Sequence, residues 1–156
     1  MPYSELDQHN KDIDWFFTDQ TNRIFHVASA GGQLPGLISE NDRNNKQISR
    51  VIDRQEPEFD ITINDGLFDI IGYQNEGDYV RYLYLESFIF YAKRGIYSCD
   101  KSVLNSFEST NYHLVASPAS GYLTSTQLGS VLKLPRINKE IDITKSNTFD
   151  LFDYFK

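Results

Sequence analysis

A chain of 156 residues with 22 Asp and Glu against 15 Lys and Arg carries a formal charge of −7. That length gives one domain, able to bury roughly two-thirds of the surface its unfolded form exposes without a metal or disulfide. The acidity argues against nucleic-acid or anionic-membrane partners, which are bound through clustered Lys and Arg.

Eleven Phe and ten Tyr, with one Met and one Trp, suit a β-rich or mixed core better than a plain helical bundle. Residues 1–11 are polar without apolar periodicity and are expected to form a flexible N-terminal arm, leaving residues 12–156 as the domain. In "IDWFFTD" and "RIFHVAS" the alternation predicts two strands joined by the turn residues "DQTN". "AGGQLPG" follows as a loop. Ser39 is a candidate N-cap for a helix whose narrow apolar stripe is Ile48, Val51 and Ile52, ended before Pro57.

Phe59, Ile61 and Ile63 alternate with Asp60 and Thr62, and Asp65-Gly66 is a favoured two-residue hairpin turn. A hairpin there would set Ile63 opposite Phe68 and Ile61 opposite Ile70, gathering Asp60, Thr62 and Asp69 on the other face. Residues 78–94 are apolar almost all round a helix, although their aromatic content leaves a strand open. "IYSCDK", "YHLVASP" and "EIDIT" read as short strands, "STQLGSVL" as a loop or short helix, and "TFDLFDYFK" as a closing strand or helix. The expected fold is α+β: an antiparallel sheet with one or two helices packed on it, in a single compact domain.

A single cysteine, Cys99, forms no internal disulfide. The first residues lack the basic start and apolar stretch of a secretory signal, and no window approaches the ~18 apolar residues that cross a bilayer. A cytoplasmic protein is expected. His9, His26 and His113 share no zinc spacing with each other or with Cys99. Asp60, Thr62 and Asn64 begin like a calcium loop, but Asp65 stands where glycine is needed and Ile71 where a bidentate Glu is needed. "GGQLPG" lacks the Lys-Ser/Thr of a phosphate loop and the third glycine of a dinucleotide fingerprint. No metal or cofactor is expected, and no reaction is named.

The charge is distributed unevenly. Between Arg54 and Arg81 stand Glu56, Glu58, Asp60, Asp65, Asp69, Glu76 and Asp78 with no base, while the rest of the chain holds fifteen acids and fifteen Lys and Arg. Such a segment is either a solvated rim or a face that steers a basic protein. In the second case the contact residues are Glu58, Asp60, Asp65, Asp69, Glu76 and Asp78, with Phe68, Tyr73 and Tyr79 as apolar anchors.

"DWFFTDQTNRIFHVASAGGQLP" resembles the opening of a family of small bacterial proteins with an Asp-Trp-Phe strand, a turn, an Ile-x-His strand and a glycine-rich loop. "YAKRGIYSCDKS" and "YHLVASP" are similar to that family's later signature, with Cys99 where an aromatic is usual. The resemblance implies kinship with immunity proteins of bacterial toxin systems, cytosolic domains that bind and block a toxin, and it carries over no active-site residue. The expected function is therefore an immunity-type inhibitor that binds a basic partner. The alternatives are a small enzyme using Cys99 with His113, and a protein that self-associates through its aromatic segment from Tyr79 to Tyr91.

Overall fold

The computed structural model describes residues 1–72, 76–129, 132–142 and 148–156. Alternation at the start of the domain gives a hairpin of β1 (Asp14–Thr18) and β2 (Ile24–Ala28), with Trp15 opposite Val27 and Phe17 opposite Phe25. The turn is fastened by buried Asp19, which accepts from the Thr21 and Arg23 backbone N–H groups and pairs with the Arg23 guanidinium at 2.7 Å.

After α2 (Gly36–Ser39) and α3 (Asp42–Asp53), the chain forms β3 (Ile61–Ile63), α4 (Leu67–Ile71), α5 (Asp78–Ala92), β4 (Tyr97–Lys101), β5 (Asn111–Pro118) and β6 (Phe149–Asp150). The strand order is β1-β2-β4-β5-β3, with β6 beside the start of β5. The fold is α+β in a single compact domain, but its sheet is mixed, because β2 and β4 run parallel. Parallel neighbours need a long crossover, and the segment carrying α2 to α5 supplies it.

Alternation sorts the side chains onto two faces. On one, Trp15, Phe17, Phe25, Val27, Cys99, Tyr112 and Leu114 are buried with Leu34, Ile38, Ile137, Ile141 and Leu151. On the other, Phe16 and Ile24 pack with Ile48 and Ile52 of α3 and Tyr91 of α5, beside a cluster of Ala28, Leu67, Phe88, Ala92 and Val115. Each fully buried large apolar side chain contributes about 1.5–3 kcal/mol.

Several local expectations change. α3 is capped by Asn41, whose side chain accepts from the Asn44 N–H, while Ser39 ends α2. Residues 5–10 of the expected arm form α1 (Glu5–Asn10), capped by Ser4 and tied to the domain by Leu34 N–H to Gln8 Oε1 and by the His9 ring stacked on Phe107. The hairpin at Asp65-Gly66 does not form. Gly66 has φ −90°, whereas the favoured two-residue turn needs positive φ at both positions. Asn64 instead donates its amide to Leu114 O and accepts the Gly66 N–H, so β3 pairs with distant β5 and the chain turns into α4. Asp69 thus lies on a helix, off the strand face that Asp60 and Thr62 share.

Residues 78–92 are helical, not extended. The strand expected in "EIDIT" is not seen over residues 140–142, and its last two residues lie outside the described ones. "TFDLFDYFK" is β6 followed by a 3-10 turn, Leu151–Phe155; another 3-10 turn, Ser125–Leu128, lies in "STQLGSVL". Among the described residues no helix is long and apolar enough to cross a membrane.

Candidate functional site

α5 presents apolar side chains on both faces. Phe88, Tyr91 and Ala92 are buried against the sheet with Tyr84 and Leu85 packed beside them. Outward, Tyr79 is 74%, Tyr82 55% and Leu83 52% exposed. These three lie on one side of the helix, at i, i+3 and i+4, where a surface helix normally carries polar residues.

The acidic segment leads into that helix. Glu58, Asp60, Asp65, Asp69, Glu76 and Asp78 are all exposed: two beside Phe59 on the approach to β3, two at the turn into α4 and on it, two at the start of α5. Among the described residues, no ion pair shorter than 4.0 Å is seen for Glu58, Asp60, Asp65, Glu76 or Asp78. Of the expected anchors, Tyr79 is exposed as required. Phe68 is half-buried against the core with the Arg81 guanidinium 4.5 Å above its ring, and Tyr73 lies outside the described residues.

Between the approach to β3 and α5 runs a cleft of about 620 Å³, lined by Pro57, Phe59, Ile61, Tyr82, Glu86 and Phe90, with Lys93 and Arg94 also on its wall. Arg94 is turned inward, lying 3.5 Å over the Phe90 ring and donating to Phe90 O. The exposure of Tyr82 and Leu83 was hidden in the sequence. Its trace was the lack of a single apolar stripe along α5.

Beneath α5 a polar chain crosses the sheet. Tyr84 donates its hydroxyl proton to Asp100 Oδ2 at 2.7 Å, so His113 Nε2–H donates to the Tyr84 oxygen at 3.1 Å, and Ser102 Oγ donates to His113 Nδ1 at 2.9 Å. Burial pushes Asp100 up to about 6, against the opposing pull of the Tyr84 hydrogen bond, and pushes His113 down to about 4. The imidazole is neutral at pH 7, consistent with those donor roles.

A second chain joins Asp14 Oδ1, His26 and Ser98 Oγ at 2.7 and 2.6 Å, with the ring of His26 stacked 3.9 Å from that of Tyr91. It has the residue types of a hydrolytic triad, yet Ser98 is fully buried, and its role is to satisfy polar groups inside the sheet.

The structure does not bring Cys99 and His113 together as a pair. Cys99 lies in the aromatic cluster on the opposite face, its thiol pushed far up by burial, and both nitrogens of His113 are engaged by Tyr84 and Ser102. The glycine loop has a packing explanation: Lys101, 1% exposed, donates to Ser109 O at 2.8 Å, and its ammonium lies where a Cβ on Gly32 would sit.

Among the described residues no three His, Cys, Asp or Glu are grouped as metal ligands. No family model matches the chain, and no curated protein or solved structure matches it.

Proposed function

We propose that the chain is a protein-binding domain of the immunity-inhibitor kind, acting in the cytoplasm, and that its contact surface joins the outer face of α5 to the exposed carboxylates of the segment, residues 56–78, that leads into it. The observation that carries this is the exposure of Tyr79, Tyr82 and Leu83 on a helix that begins in the acidic segment. Exposed rings and a leucine supply contact area that repays removal from water, and the exposed carboxylates select a basic partner and speed its approach. The partner is a basic protein, and the toxin assignment rests on the likeness of "DWFFTDQTNRIFHVASAGGQLP" to immunity proteins.

The test is stopped-flow association of the purified protein with the product of the gene adjoining its own. Asp60→Lys with Asp65→Lys should slow association at least tenfold at low salt and flatten its salt dependence, whereas Leu83→Asp should act mainly by raising the dissociation rate. Rates that neither the double charge reversal nor Leu83→Asp alters would refute the assignment. Self-association through the same α5 face is a second reading, favoured by the same exposed side chains. It predicts a mass that doubles with concentration in sedimentation and returns to the monomer in Leu83→Asp.

A further inference from the structure

β3 stands at one end of the strand order, and its hydrogen bonds show which way its backbone points. Asp60 C=O accepts from Ala119 N–H, and Asn64 N–H donates to Val115 C=O, both toward β5. Backbone direction alternates along a strand, so Ile61 and Ile63 turn their N–H and C=O groups away from β5, to the outer side where Phe59 N–H meets Lys93 O. On that outer side the described residues offer Ile61 and Ile63 no strand partner.

Two features fit this edge to an incoming strand. On the α5 side, the cleft of about 620 Å³ lies directly beside Ile61 and is walled by Phe59, Tyr82 and Phe90. On the opposite side of the strand, Asp60 and Thr62 are exposed, with Glu58 in the same alternation. A strand laid along β3 therefore meets apolar surface with every second side chain and carboxylates with the others.

We propose that the open edge of β3 adds a strand from the cationic partner, an extended segment in which apolar residues alternate with Lys or Arg. This rests on the protein-binding function above and specifies the part of the partner that is read. Backbone hydrogen bonds to Ile61 and Ile63 hold the segment, the cleft takes its apolar side chains, and Asp60 with Glu58 takes its cations.

The probe is a capped heptapeptide alternating lysine with valine or phenylalanine, compared by fluorescence anisotropy with a peptide of the same composition in block order. The alternating peptide should bind at least tenfold tighter. N-methylation of those amides that would face β3 should abolish the preference, as should Ile61→Pro, which removes an outward N–H and leaves the β3–β5 ladder intact. Because the methylated peptide alters only the ligand, the test does not depend on the folding of that variant.

Equal affinity of the two peptides, or binding indifferent to N-methylation, overturns strand addition. If such binding still collapses in Asp60→Lys, the acidic contact face survives and only the strand mechanism falls. If neither peptide binds and the partner's association is also untouched by Asp60→Lys, both fall.

Discussion

Asp100 and His113 sit in one hydrogen-bonded chain, yet burial shifts them in ways that oppose each other in a stability profile. Asp100 rises from 3.8 to about 6, so between those values the folded protein holds a proton that the unfolded chain has released, and stability falls as pH rises. At about 1.4 kcal/mol per pKa unit, this amounts to roughly 3 kcal/mol lost by pH 6.5. His113 falls from 6.5 to about 4, so the unfolded chain binds the extra proton, and a similar stabilisation of roughly 3 kcal/mol is present above pH 6.5 and lost as pH falls through 4. In the wild type the two nearly cancel.

Single substitutions should separate them. Asp100→Asn, which keeps an oxygen for Tyr84, leaves His113 alone, and its stability relative to wild type should climb by about 3 kcal/mol between pH 4 and 6.5. His113→Gln leaves Asp100 alone, and its relative stability should fall by about the same amount over the same window. Urea unfolding at half-unit pH steps, analysed with a common m-value, measures both. Taking differences from wild type removes the contribution of the many surface carboxylates. Two variant curves parallel to the wild-type curve would show that burial does not set these protonation equilibria.

Gly32→Ala should lower stability by about 1–3 kcal/mol, read as a fall in Tm, because its Cβ would lie within 2.1 Å of Lys101 Nζ and 2.9 Å of Ser29 O; an unchanged Tm would mean the loop relaxes freely. Asn41→Ala should cost about 1 kcal/mol by removing the cap of α3, whereas Ser39→Ala should be close to neutral, as chemical denaturation will show. Cys99 should react with a thiol reagent at pH 8 only as fast as the protein unfolds; rapid native-state labelling would reopen the nucleophile alternative.

The elements built from local alternation could be read from the chain: the β1–β2 hairpin, the strands at "IYSCDK" and "YHLVASP", and the Ile48 and Ile52 stripe of α3. Alternation and helical period record which residues share a face, and that information is local. The charge asymmetry was likewise explicit, since counting needs no coordinates. Asp65-Gly66 misled because its hairpin signal is local, whereas Asn64 bonds to β5 and so commits β3 to a strand some fifty residues away.

Only the folded chain decided the parallel pairing of β2 with β4 and the meeting of Tyr84 with Asp100, Ser102 and His113. It also decided that α5 leaves Tyr79, Tyr82 and Leu83 in water. An aromatic helix carries no mark of which side is covered. That is settled by the sheet it packs on, because burying Phe88, Tyr91 and Ala92 on one side necessarily turns the other outward.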